Sequence, residues 1–423
     1  MCGDSGVPAA AVPLADDPNA AVSFPWASGR VYDAHCHPTD TMASIAQIPD
    51  MGAAVLTVMS TRAQDQELVA QLAKDHGTPT STSARDRVIP AFGWHPWFSY
   101  QLYDDVSSPS TSKGDLTSMD DKRQHLASVL APSPASYAST NTDKEAALTA
   151  DLDVLAASLA AVRPLSAFLQ ETRQRLLEYP NALVGEIGID KAFRVPEPSS
   201  TQSAGTGATP GGREGRRLSP FRVQPAHQIV VLSAQLHLAA ELRRPVSVHG
   251  VQAHGQLYSV LAATWAGRER KVLSKRERHQ IAGIAGLGDF EDSSSDEDEE
   301  ARGTPKRYPP TVCLHSFSGP VDMLRQYLDP RIPATIFFSF STAVNCSTES
   351  GCDRIAQVVA ACPDDRILLE SDLHKAGPAM DKLLEDIYRR VCAIKKWTLA
   401  EGIERIAKNY DAFTMQTSRR RML

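Results

Sequence analysis

The sequence predicts a (β/α)8 TIM barrel with long disordered loop inserts. Three observations carry that reading: eight short β-rich runs, helical stretches between them, and metal-ligating side chains at the ends of the runs. In order, the runs are VYDAHCH (31–37), AAVLTVM (53–59), RVIPAFGWH (87–95), ALVGEIGI (182–189), RPVSVHG (244–250), PTVCLH (310–315), ATIFFSF (334–340) and DRILLESD (365–372). The clearest helix between them is PAHQIVVLSAQLHLAAELRR (225–244). Its apolar positions recur at three- and four-residue spacing. A doubly wound open sheet is the alternative, but no GxGxxG follows the first run, which counts against a dinucleotide site.

Composition separates core from decoration. Residues 1–28 read as a flexible lead-in and 416–423 as a short basic tail, with a single barrel domain at 29–415. Three stretches inside it are expected to be loop inserts, near 104–145, 194–220 and 267–310. Their Ser, Thr, Gly, Pro and charged content cannot bury enough apolar surface to fold. The third ends in EDSSSDEDEE (291–300), where Ser293, Ser294 and Ser295 precede acids. That stretch reads first as a solvated charge run and second as a phosphorylation site.

The 423 residues are 42% hydrophobic and 22% charged, with a net charge of −6. The seven acids of the 291–300 run account for that charge, leaving the remainder nearly neutral. A dedicated duplex binder usually carries a basic footprint, and none is present. The seven cysteines include no CxxC pair, so reduced thiols in an intracellular compartment are expected. The N-terminus lacks a basic n-region and an apolar h-region, and no window is apolar for the length of a membrane span. The cytosol is the expected location, with nuclear access possible in principle.

The histidines carry the chemistry. A strand alternates its faces, so His35 and His37 share a face while Cys36 points away. In this register His95, His249 and His315 also end strands, as do Glu186, Glu370 and Asp372, whereas the other seven of the twelve histidines fall elsewhere. In a TIM barrel that end of the sheet holds the active site. His35, His37, His249 and His315 with Glu186 and Asp372 suit two divalent ions, each keeping positions for water and substrate. Asp33 either orients an imidazole or serves the turn. Trp94 and Trp97 read as an aromatic rim, Cys36 and Cys313 as packing residues.

With these residues in place, DAHCH, GWHP (93–96), GEIGID (185–190), PVSVH (245–249), LHSFSG (314–319) and LLESD (368–372) resemble the TatD-like metal-dependent hydrolases of the amidohydrolase superfamily. The resemblance spans about 31–413, and the inserts look like the fungal branch. It implies His35 and His37 on one ion, Glu186 bridging, His249 and His315 on the second, and Asp372 as ligand and holder of the attacking water. His95 would touch the scissile phosphate, and Asn409 would have a structural role. The implied reaction is phosphodiester hydrolysis, commonly by a magnesium-dependent deoxyribonuclease acting on DNA ends. Some members of the branch interact with cell-cycle proteins, so the resemblance also implies a protein partner. Mainly imidazole ligation would suit zinc or manganese.

Two departures bear on substrate. The family usually follows the fifth-strand histidine with Ser-Arg, where this chain has Gly250 and Val251; Arg222 or an insert arginine is the candidate substitute. After Asp372 the family has a proline-containing turn, where this chain has Leu373, His374 and Lys375. Three functions therefore stand: a phosphodiesterase acting on DNA ends, a same-fold hydrolase of a non-nucleic ester or amide, and an adaptor working through its inserts. Deleting the inserts separates the last from the others.

Overall fold

The computed structural model describes Asn19 and residues 21–77, 86–107, 114–133, 141–198, 209, 216–272 and 308–415. Most of the N-terminal lead-in, the basic tail, the acid run and Ser293 to Ser295 lie outside the described residues.

All eight expected runs are strands of one parallel sheet, hydrogen-bonded in chain order: β1 (Tyr32–Cys36), β2 (Val55–Met59), β3 (Val88–Phe92), β4 (Leu183–Asp190), β5 (Val246–Val251), β6 (Thr311–Leu314), β7 (Thr335–Phe340) and β8 (Ile367–Leu369). Beyond the strand ends, β8 is tied back to β1. The Asp372 N–H donates to His35 O (3.0 Å) and the His37 N–H to Leu373 O (2.9 Å). Asp33 reinforces this seam, accepting from the Ser371 N–H (3.0 Å) and Oγ–H (2.5 Å) and from the His35 N–H (3.1 Å). Asp33 thus holds the turn and does not orient an imidazole ring.

The helices are α1 (Ala63–His76), α2 (Met119–Val129), α3 (Asn141–Ser158), α4 (Leu165–Glu178), α5 (Pro225–Glu241), α6 (His254–Trp265), α7 (Val321–Tyr327), α8 (Thr342–Asn345), α9 (Glu349–Ala361), α10 (Pro378–Lys395) and α11 (Leu399–Phe413). Proline at the first position of α5 is tolerated because that N–H has no helical acceptor. Outward strand residues such as Leu56, Val58, Val184, Val248 and Phe338 pack on Val69, Leu236, Leu257 and Leu384 of the helices. Inward residues Tyr32, Val55, Met59, Ile89, Leu183, Phe337 and Leu368 form a separate inner core with Tyr410 and Phe413 of α11. Asn409 anchors α11 by donating to Asp364 O and Ile367 O, each at 2.8 Å. One end of the barrel is thereby plugged, and polar side chains collect at the other.

The stretch near 104–145 is not one loop. Within it α2 folds, capped by Ser118 Oγ, which accepts from the Asp121 N–H (3.1 Å). Leu126, Val129 and Leu130 join a satellite core with Trp94, Phe98, Phe168, Phe221 and Val223. The polar composition of SMDDKRQHLASVL hides a helix whose few apolar residues fall on one face. The stretch near 194–220 is pinned at both ends: the Ser219 N–H donates to Val195 O (2.8 Å) and the Val195 N–H to Phe221 O (2.9 Å). Cysteine usage also differs from expectation, because Cys346 and Cys352 form a disulfide beside α8 and α9. Cys36, Cys313, Cys362 and Cys392 are buried free thiols. Among the described residues no helix is long and apolar enough to cross a membrane.

Two irregularities aim the site. Tyr32 and Ala34 belong to the inner core while Cys36 belongs to the outer one, so strict alternation would send His35 and His37 outward. The pairing of β1 with β2 shifts register between Asp33 and Cys36, a bulge that turns both imidazoles inward. The pairing of β4 with β5 likewise shifts between Val184 and Ile187. Leu183 faces in, Val184 and Ile187 face out, and Glu186 is brought to the interior. Glycine is needed at the neighbouring crossing: a Cβ on Gly93 would sit 2.7 Å from the Gly185 carbonyl carbon.

Candidate metal centre

At the open end of the barrel, Glu186 is the hub. Its Oε2 lies 3.2 Å from His37 Nε2 and 3.4 Å from His35 Nε2. Asp372 Oδ1 faces the same two nitrogens at 3.5 and 3.8 Å. Glu186 Oε1 lies 2.8 Å from both His249 Nδ1 and His315 Nε2, and 3.0 Å from His95 Nε2. His35, His37, His95, Glu186, His249, His315 and Asp372 therefore converge here. His35, His37 and Glu186, and again His95, Glu186 and His249, place potential ligand atoms within one ion's reach. Burial opposes charge on Glu186, yet His95, His315 and His35 hold its carboxylate well below the usual range. Asp372 is likewise lowered: burial opposes its charge, but the hydrogen bond from His37 and the neighbouring His315 and His35 rings outweigh it.

The partners on the far side of each ring decide what its inner nitrogen can do. His249 Nε2 donates to Asp190 Oδ2 (3.1 Å), leaving a lone pair on Nδ1 toward Glu186. His315 Nδ1 faces Glu370 Oε1 (3.4 Å), leaving a lone pair on Nε2. His35 Nδ1 contacts Ser247 Oγ (2.9 Å), whose hydroxyl can accept. His95 is the reverse case. Its Nδ1 accepts from the Trp97 backbone N–H (3.2 Å), so in the neutral ring the proton sits on Nε2. That nitrogen then donates to Glu186 Oε1 (3.0 Å), and burial lowers the ring's pKa to about 4.

The sequence reading did not assign Asp190, Glu370 or Ser247. Asp190 also accepts from Trp97 Nε1 (2.6 Å), and Glu370 Oε1 accepts from the Ser316 N–H (2.8 Å) and Oγ–H (2.6 Å). The visible signal was placement, since Asp190 ends GEIGID and Glu370 stands two residues before the end of the eighth run. The two tryptophans divide: Trp94 belongs to the satellite core, and Trp97 lies beside His95. Trp94 is buried and donates from Nε1 to Phe98 O (2.9 Å), while Trp97 stacks on Phe193 at 4.3 Å. Cys36 and Cys313 are packing residues as expected. Arg222 donates to Lys191 O (3.1 Å), and the buried Arg62 at the end of β2 is engaged by Asp40 (2.9 Å) and Asp65 (3.2 Å).

A parallel barrel with an imidazole–carboxylate cluster at the open end defines a metal-dependent hydrolase of the TatD type. The TatD related DNase family model matches residues 32–414, and the chain belongs to that family. Among its relatives, Cut9-interacting protein scn1 of Schizosaccharomyces pombe is 36% identical over 392 residues, covering 92% of this chain and 99% of that protein. A Saccharomyces cerevisiae protein described as uncharacterized deoxyribonuclease YMR262W is 26% identical over 370 residues, covering 84% and 88%. Among solved structures, the TatD homolog YJJV of Escherichia coli aligns with a TM-score of 0.45 at 17% identity, covering 91% of this chain and 97% of that one. An uncharacterized amidohydrolase from Saccharomyces cerevisiae aligns at 0.45 and 16%, covering 89% and 93%.

Proposed function

We propose that this protein is a metal-dependent phosphodiesterase that hydrolyses DNA from an end, with two divalent ions bridged by Glu186. The observation that carries the reading is the division of Glu186: one carboxylate oxygen faces His35 and His37, the other His249 and His315. His35, His37, Glu186 and Asp372 would hold one ion; Glu186, His249 and His315 the other. Bound there, the ions would supply Lewis acidity at the scissile phosphate and lower the pKa of water. Asp372 orients the attacking water and accepts its proton at a carboxylate oxygen. His95 donates from Nε2 to a phosphate oxygen, the role that the Trp97 N–H leaves open to it. The deoxyribonuclease named among the relatives supports DNA as substrate. The oxygen of phosphates favours magnesium and the imidazoles favour zinc or manganese.

The test is release of nucleotides from end-labelled single-stranded DNA, metal-free and then with magnesium, manganese or zinc, beside Asp372→Ala. Metal-dependent cleavage absent from the variant is the expected result. A metal-loaded protein that cleaves no DNA would favour the second reading, hydrolysis of a non-nucleic ester or amide. That reading draws support from Gly250 and Val251 after His249, where no cation stands.

A protein partner fits beside catalysis rather than in its place, since an adaptor has no use for the full ligand set. The name of the scn1 relative, a Cut9-interacting protein, supports such a partner, as does the charge-rich insert near 267–310. Removal of residues 273–307 should abolish partner capture and leave hydrolysis intact, in the cytosol or the nucleus.

A further inference from the structure

We propose that His374, oriented by Asp40, is a substrate-contacting residue that binds a phosphate oxygen at the mouth of the metal centre. The inference rests on the phosphodiesterase reading and adds to it a contact outside the ligand set. His374 Nδ1 donates to Asp40 Oδ2 at 2.8 Å. Asp40 is itself fixed, its Oδ1 accepting from Arg62 Nη1 at 2.9 Å and its backbone O from the Thr209 N–H at 2.9 Å. The imidazole lies nearly parallel to that of His37, 18° between planes and 5.1 Å between centroids. It is therefore one ring layer from a nitrogen that faces Glu186 and Asp372.

Exposure separates this ring from the cluster. The His374 side chain is 42% accessible, whereas those of His35, His37, His95, His249 and His315 are 10% or less. The backbone explains its placement. Asp372 adopts a left-handed φ of 50°, a conformation that aspartate tolerates better than most residues. The His37 N–H holds the next carbonyl, that of Leu373. The turn thus presents Asp372 to one edge of His37 and His374 to its face.

With Nδ1 held by the Asp40 carboxylate, the Nε2 edge of the ring is the one that meets an ionised phosphate oxygen. Charge-assisted hydrogen bonds of this kind are the strong ones. His374 and His95 would then touch the substrate from different sides, His95 beside the Glu186 Oε1 ligands and His374 beside His37. The bound atoms are phosphate oxygens whether they come from free phosphate or from a nucleotide end.

The test uses the full-length, metal-loaded protein and the variants His374→Ala, His374→Gln and Asp40→Asn. Three quantities are measured: metal content, the dissociation constant for inorganic phosphate, and KM and kcat on end-labelled single-stranded DNA. His374→Ala should weaken phosphate binding and raise KM by roughly tenfold or more, with metal content unchanged. Glutamine, which keeps a donor near the Nε2 position, should recover part of the loss, and Asp40→Asn should fall between. Unchanged phosphate affinity and KM in His374→Ala would overturn the proposal. So would a loss explained by falling metal content, because His374 would then support His37 alone. If the wild type cleaves no DNA but His374→Ala still weakens phosphate binding, the phosphodiesterase reading fails while the oxyanion contact stands.

Discussion

Glu186 and Asp372 carry different burdens, and substitution separates them. Glu186→Ala removes the bridge between two groups of imidazoles and leaves buried rings facing one another. Hydrolysis should fall at least about a thousandfold, and metal content should fall with it. Asp372→Ala should abolish turnover to a similar degree with less loss of metal. Full turnover in either variant, measured beside an unchanged circular dichroism spectrum, would sink the two-ion assignment. His95 and His249 offer a sharper contrast because their outer partners set opposite tautomers. His95→Gln should retain metal and lose kcat by roughly a hundredfold, whereas His249→Ala should lose metal first. Equal metal loss in both would make His95 a ligand.

Among elements, α2 matters because composition disguised it. Leu126 is fully buried against the satellite core. Its truncation to alanine should cost about 2–5 kcal/mol in denaturant unfolding, where a loop residue would cost a few tenths. The same core backs Trp94 and Phe98, and these flank the segment that carries His95 and Trp97. Packing in the satellite core is thus coupled to the position of the His95 ring. At the opposite end, Thr398 caps α11 by accepting from the Glu401 N–H (3.2 Å). Thr398→Ala should cost about 1 kcal/mol and leave metal binding untouched, because α11 plugs the end remote from the site.

For the whole molecule, acid sensitivity follows from buried imidazoles that lie outside the cluster. His125 of α2 donates to Tyr100 O (2.9 Å) and His227 of α5 to Ser99 O (2.9 Å), bracing the segment after His95. Burial lowers the His125 pKa to about 4 and lowers that of His227 as well. An unfolded histidine takes its proton near pH 6.5. Between about 6.5 and 4 the unfolded chain therefore binds more protons, and stability falls as pH drops through that window. His125→Gln should flatten the fall by up to about 1.4 kcal/mol per pH unit, seen as a shallower dependence of unfolding midpoint on pH. An unchanged slope would mean that His125 titrates normally in the folded protein.

The order of the strands, the barrel they form and the residues at their open ends were legible in the sequence. Hydrophobic runs of period two and histidines at their ends are local signals, and both survive without tertiary information. Three things were decided in the folded structure alone. The inward aim of His35, His37 and Glu186 depends on register shifts between paired strands, and a shift is a property of two strands, not of one. The helix α2 needed a core from Trp94, Phe168 and Phe221 to bury its few apolar side chains, so its own composition read as loop. The difference among the imidazoles rests on what stands behind each ring: Asp190 for His249, Glu370 for His315, Ser247 for His35, the Trp97 N–H for His95 and Asp40 for His374. Sequence names the titratable groups; only spatial neighbours far apart in the chain fix which nitrogen holds the proton.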